Sequence, residues 1–537
     1  EGTGVSLTNE SAKRVADPYE GGANNAPVLV YSFTYNSSAN NNNFTDFTAS
    51  GWNNSAPNSN MAATIKSDYN TATDGGSFDA CNIVVEEGAT LTVGAGDYLN
   101  IGHEFIVNGT LIIEHEGSVV QTNDDAKMIN NGTILVQKIT PNLEERDFMI
   151  LGSPVSGETR NGVYSSSVMV RNHITENFAL NSQVEDEFPD AESFADDNGD
   201  NWVNYSKEIN PGEGYLVRPQ TIPTGTGSFT LDYVQGNLNN GIIKVNLIYN
   251  GTQESSPNML GNPYPSAIDA DVFLAENSTI DALYFWEHLT APNPSYPGHN
   301  PNNYNMSDIS MYNAMGGSAA GNDPGTSTQP NGYIASGQGF GVKTNATGTA
   351  TFNNSMRVND NNDTYRRPSF ESDRIWLGVY NEKWEMGSSI LIGFSDASTN
   401  GFDAKYDSKR LATPVSLYSE MPSGEQLAIQ GLAPLEDETQ VSLGFSTQID
   451  EETTYRISIN DILGSNIESS TVNLIDNKNN TVTNLSETDY EFRTGKEQFN
   501  KRFTLQFKSS EVLSIEEHLA DISMFPNPAQ DVLNVIS

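Results

Sequence analysis

The sequence predicts an all-β protein made of a short parallel β-solenoid, duplicated β modules and a C-terminal immunoglobulin-like β-sandwich. Three observations point there. Thr, Val, Ile, Tyr and Phe fall in short alternating runs such as "TLTV" and "RFTLQFK", the two-residue period of a half-buried strand. Turn formers separate these runs, with 45 Gly, 24 Pro and Asn clusters such as "NSSANNNNF". Two regions also repeat themselves internally. Helical periodicity is confined to "AIDADVFLAEN", with Ser266 placed to cap it and Ile268, Val272 and Phe273 on one face.

Residues 1–80 read as an Asn-rich β or extended segment. Its stretch 21–60 is suited by composition to adding a strand to a neighbouring subunit. Cys81 is the one cysteine, so no internal disulfide can form, and its place before Ile83-Val84-Val85 suggests a buried structural thiol.

Residues 81–146 carry the first repeat. Gly88, Gly109 and Gly132 open "GATLTV", "GTLIIE" and "GTILVQ" at intervals of 21 and 23 residues. A period in the low twenties is one coil of a parallel solenoid, with glycine at a corner too tight for a side chain. Ordinary antiparallel hairpins are the alternative.

The second repeat fills 147–365. "MILGSPVSG" returns as "NMLGNPYPS", "GEGYLVRP" as "GQGFGVKT" and "TGTGSF" as "TGTATF", in the same order. These markers are structural: turns that end an apolar strand, and glycines before a strand that buries Tyr215 or Phe340. Residues 366–510 then give eight short strands of sandwich character, with Trp376 and Phe492 as core anchors. Residues 511–537 read as a polar connector and the opening of a further β domain, with no partner strand following Val532 to Ile536.

Composition excludes whole classes of function. Lys and Arg total 27 against 69 acids, a formal charge of −42, which leaves no cationic stripe for nucleic acid or anionic lipid. No apolar run is long enough to span a membrane, and no signal peptide stands at the start, so an exported chain would have lost its own. The six histidines form no zinc-hydrolase pair, no Gly-x-Ser-x-Gly elbow occurs, and the expectation is a protein that is not an enzyme. "DDNGDNW" sets Asp196, Asn198 and Asp200 at alternate positions of a calcium-type loop, but Lys207 stands where the bidentate Glu belongs. A calcium site and a solvated acidic turn are both open there. The aromatic stretch "DALYFWEH" offers Tyr284 and Trp286 as glycan contacts, in what reads as an insertion that the first copy lacks.

The tail "FPNPAQDVLNV" resembles the start of the type A C-terminal sorting domain on cargo of the type IX secretion system of Bacteroidota. Phe525, Pro526, Asn527 and Pro528 match the turn, and Asp531, Leu533 and Val535 the strand after it. "GSVVQ", "LGSPV", "LGNPYPSAID", "GQGFGV" and the segment from Phe352 to Arg357 occur in the order seen in large surface proteins of flavobacteria. The resemblance implies secretion, display at or release from the cell surface, and the secretion translocon and its sorting machinery as partners. The resulting expectation is a surface structural or adhesive protein, self-associating into a filament or layer. The alternative is a surface glycan-binding protein, as part of a polysaccharide-using system, and behind it a polysaccharide-degrading enzyme.

Overall fold

Glycine corners and alternating apolar residues wind the first part of the chain into a three-sided parallel β-solenoid of about four coils. The computed structural model describes residues 43–362 and 372–509, plus the backbone of strands Ser523–Phe525 and Asn534–Ile536. On one solenoid face Thr90–Val93, Thr110–Ile113 and Thr133–Ile139 stack in parallel, which brings Leu91, Leu111 and Ile134 into register. A second face stacks Ala62–Ile65, Asn82–Val85, Phe105–Val107 and Met128–Asn130, and the third Phe78–Ala80, Tyr98–Ile101 and Ser118–Gln121. Inward residues such as Ile83, Leu91, Phe105 and Leu111 are fully buried, each contributing about 1.5–3 kcal/mol.

Two of the three corner glycines are sterically required. A Cβ on Gly109 would lie 2.2 Å from the carbonyl oxygens of Glu86 and Ala89, and one on Gly132 would lie 2.0 Å from that of Gly109. Parallel pairing already begins at Phe44–Thr48, ahead of residue 81 where the repeat becomes legible. In this early coil Ser67-Asp68 stand at the Gly-Thr position, ahead of Tyr69, which pairs with Leu91, so the mark is absent. Phe47, Trp52, Tyr69 and Phe78 plug its open end, with ring centroids between 4.7 and 5.6 Å apart. Cys81 is half-buried rather than buried, beside the Asn82 amide.

The duplication reappears as topology. The first copy orders its sheet as Met149–Leu151, Tyr215–Arg218, Met169–His173, Trp202–Asn204. The second orders it as Pro257–Gly261, Gly339–Thr344, Ile280–Trp286, Ile309–Asn313, with Gly316–Ser318 beyond. Each copy's following strand, Thr230–Tyr233 or Gly348–Phe352, pairs antiparallel with the strand that precedes the copy, Thr133–Ile139 or Ile243–Leu247. Tyr215 and Phe340 are both fully buried.

Two expectations are corrected here. The aromatic stretch 281–288 is no insertion unique to the second copy, because strand Ile280–Trp286 takes the place of Met169–His173 in the first and the connection after it matches residues 174–201. The helix runs over Ala270–Glu276 and is capped by Asp269, whose carboxylate accepts from Asp271 N–H and Val272 N–H. Ser266 cannot cap it, since Ile268 is already committed to strand pairing with Ile334 and Arg357.

Beyond 372 the strands join one continuous eleven-stranded sheet rather than two separate ones. Its two ends fold over a shared core: Phe492, near one edge, packs 5.3 Å from Phe503 of the opposite half. Trp376 instead anchors the sheet to the second copy, its indole N–H donating to Gly317 O at 2.6 Å. The tail segment Asn534–Ile536 pairs antiparallel with Ser523–Phe525, a strand that precedes it in the chain.

Candidate functional site

The two copies meet through their own repeat markers, in reciprocal pairs. Gly152 N–H donates to Gly337 O at 2.8 Å, and its counterpart Gly261 N–H donates to Gly212 O at 2.9 Å. Leu151 bridges Gln338, and Leu260 bridges Glu213. Each contact is the other with the copies exchanged, which is the signature of an isologous, pseudo-twofold interface.

A cavity of about 540 Å³ straddles this axis. Strand register identifies the equivalent positions: Ile150 and Arg171 flank Leu216 in the first copy as Met259 and Tyr284 flank Gly341 in the second. His173 pairs with Trp202 as Trp286 pairs with Ile309. All of these positions line the cavity, so both copies present the same backbone sites to it with different side chains. The connections 174–201 and 287–308 complete the walls, and Ala412 and Pro414, just ahead of the large-sheet strand Val415–Glu420, close one side.

The wall is strongly aromatic. Phe148 stacks on Trp286 at 5.2 Å with 29° between the planes, and Tyr304 stands edge-on to both. His173 packs against Trp202 at 4.9 Å, and burial pushes its imidazole down to about 4, so it is neutral near pH 7. Polar atoms sit among these rings without partners: Trp286 Nε1, Asn305 Nδ2, Asn201 Oδ1 and Arg171 Nε. Apolar walls with a few convergent polar groups, at a seam between modules, are the usual form of a small-ligand site.

A family model matches residues 34–507, from ahead of the first solenoid strand to the closing strand of the large sheet. The chain belongs to this family, a domain of unknown function (DUF8693). No curated protein and no solved structure matches it. The matched span of this DUF8693 chain takes in the solenoid, both copies, the cavity between them and the large sheet as one unit.

Within the DUF8693 chain, the residues singled out from sequence fall in three places. Tyr284 and Trp286 both line the cavity, but Tyr284 is buried with its hydroxyl turned to Glu192 Oε2 at 2.8 Å, while the indole is half-buried. Asp196 and Asn198 lie in the cavity wall as a self-contained turn. The Asp196 carboxylate accepts from Ala179, Asn198 and Gly199 N–H, and Asn198 Oδ1 accepts from Asp200 N–H at 2.8 Å. Asp200 is exposed, and among the described residues no group of three or more His, Cys, Asp or Glu side chains is arranged to hold a metal ion. Phe525 lies in a described strand, while Pro526, Asn527, Pro528, Asp531 and Leu533 fall outside the described residues.

Sequence reasoning missed the first copy's contribution: Phe148, Arg171, His173 and Trp202. The available signal was the repeat itself, since aligning "MILGSP" with "NMLGNP" sets Ile150 opposite Met259. "VMVRNH" and "DALYFW" share no residue at matched positions, so the strands carrying Arg171 and Trp286 could be aligned only through hydrogen-bond register.

Proposed function

We propose that this chain is a secreted cell-surface structural and adhesive protein, exported by the type IX route, whose β modules form a rigid scaffold around one binding cavity. The cavity on the pseudo-twofold axis carries the reading. An adhesive site must keep its shape while empty, and this one is built on strands of two sheets locked together by reciprocal backbone hydrogen bonds. The sorting-signal sequence at the tail, between two paired strands, supports the export part of the reading. The cavity is assigned binding without turnover, so a captured ligand is recovered unchanged.

The test is adhesion of cells that display the chain, compared with cells displaying Trp286→Ala and Phe148→Ala variants at equal surface density. Loss of adhesion in both variants supports the cavity as the adhesive site, and undiminished adhesion overturns it. A companion truncation after residue 509 is expected to abolish display; normal display of the truncated chain overturns the export part.

A specific observation favours glycan as the ligand. The Phe148–Trp286 stack with Tyr304 at its edge offers apolar ring faces beside the amides of Asn201, Asn303 and Asn305. Flat aromatic surface bordered by amides complements the apolar faces and hydroxyl rims of a pyranose. Saturable binding of an oligosaccharide, lost in Trp286→Ala, is the expected result.

A further inference from the structure

Cations are scarce in this chain, yet one of them stands idle in the cavity wall. Arg171 lines the cavity, and its guanidinium makes no hydrogen bond or ion pair with any described residue; its Nε is buried and unpartnered. Other inward-facing arginines are engaged. Arg357 reaches Val119 O and Asn240 Oδ1, Arg502 reaches Asp476, and Arg410 reaches Gln426 and Pro189 O. A half-buried cation without a partner is costly unless something else completes it.

The acids close by do not serve. Asp147 accepts from Glu144 N–H and lies 3.2 Å from His288 Nδ1, and Asp196 is occupied by three backbone N–H groups. Two more arginines stand near the same wall. Burial raises the Tyr304 hydroxyl and Asp147 adds to the rise, while Arg218, Arg146 and Arg171 act against it through space. In a protein with 69 acids and 27 Lys and Arg, three arginines and one acid, Asp147, thus act on the Tyr304 hydroxyl. Arg171 occupies the position that Tyr284 fills in the other copy, so the cavity sets a guanidinium across the axis from the Trp286 side.

We infer that the cavity takes an anionic sugar: a uronate residue of an acidic polysaccharide, with its carboxylate on Arg171 and its ring against Trp286 and Phe148. This rests on the glycan reading of the site and narrows it. A guanidinium fork matches a carboxylate in two parallel N–H···O bonds, which a neutral hydroxymethyl group cannot reproduce. The net negative charge of the protein does not forbid the pairing, because at physiological ionic strength charges beyond about 8 Å are screened.

The test is isothermal titration of the intact chain with uronate oligomers (galacturonate, glucuronate, mannuronate, guluronate) and with neutral oligomers of the matching linkages. Arg171→Gln and Trp286→Ala variants are measured beside the wild type, each checked for an unchanged melting temperature. At least one uronate is expected to bind tenfold or more tighter than its neutral counterpart. Arg171→Gln is expected to remove that preference while sparing neutral binding, and Trp286→Ala to weaken both. Equal binding of acid and neutral sugars, or a preference that survives Arg171→Gln, overturns the inference and leaves the glycan reading standing. If no sugar binds, the inference and the glycan reading both fall, and the cell-adhesion comparison alone decides the broader proposal.

Discussion

Gly152 and Gly261 stand against each other on the pseudo-twofold axis. A Cβ on Gly152 would lie 3.0 Å from the Cα of Gly261, and one on Gly261 would lie 2.8 Å from the Cα of Gly152. The seam between the copies is thus a place where two backbones touch without side chains between them.

Substituting either glycine is therefore expected to force the copies apart. Gly261→Ala should cost about 1–3 kcal/mol, the usual penalty for overpacking. Gly214→Ala should cost more, because its Cβ would lie 2.4 Å from Leu260 O, a backbone atom with no room to move. Thermal melts of the two variants check the order, and a melt of Gly214→Ala above that of Gly261→Ala contradicts it.

A second prediction concerns the buried pair Arg502–Asp476, 3.1 Å apart and almost wholly enclosed. Burial pushes the Asp476 carboxyl up, but the Tyr490 hydroxyl and Arg502 outweigh it and hold the group below its ordinary value. A carboxyl depressed in the folded state stabilises above its unfolded value, and that stabilisation is lost as pH falls through the folded value. Unfolding monitored from pH 7 downward should show the loss beginning near pH 4, where free carboxylates start to protonate. Arg502→Met should cost about 3–5 kcal/mol at pH 7 by leaving a buried carboxylate without its counter-charge.

Asp271 behaves in the opposite sense. Burial raises its carboxyl to about 6, with the Tyr312 hydroxyl acting against the rise. The folded protein therefore binds its proton more tightly than the unfolded chain does. This contribution is fully present below about pH 4 and is lost as pH rises through about 6. Asp271→Asn keeps an acceptor for Tyr312 and should stabilise the chain at pH 7.5 by about 1 kcal/mol. Equal melting temperatures for variant and wild type at pH 7.5 would count against it.

The acidic turn at Asp196 gives a test involving metal. Its carboxylate already holds three backbone N–H groups, so a calcium chelator is expected to leave the melting temperature unchanged. Asp196→Ala is expected to cost about 1–3 kcal/mol by freeing buried donors. A clear downward shift in chelator would restore the calcium reading of this loop.

What could be read from the sequence follows from where side chains are forbidden. Gly109, Gly132, Gly152 and Gly261 each fill a place with no room for a Cβ, so the solenoid corners and the copy seam left matching marks in the chain. The cavity left none, because its walls are free to differ: Arg171 against Tyr284, His173 against Trp286, Ile150 against Met259. Trp286 was visible only as part of an aromatic run, and its stacking partner Phe148 lies in a stretch with no aromatic neighbours. The helix cap was misplaced for a related reason, since Ser266 and Asp269 are both good caps and only strand pairing at Ile268 decides between them.

The reciprocal seam also bears on direction. Two identical subunits around a dyad can show a ligand only the same wall twice, so a chain-like guest has no reason to prefer one orientation. Joining the copies in one polypeptide removed that constraint, and the two walls now differ at most matched positions. A polysaccharide has a reducing and a non-reducing end, and a guanidinium on one side with an indole on the other distinguishes them. On the proposed glycan reading the pocket would hold a strand in one polarity, and many such molecules on one surface would grip a polymer with a common sense of direction.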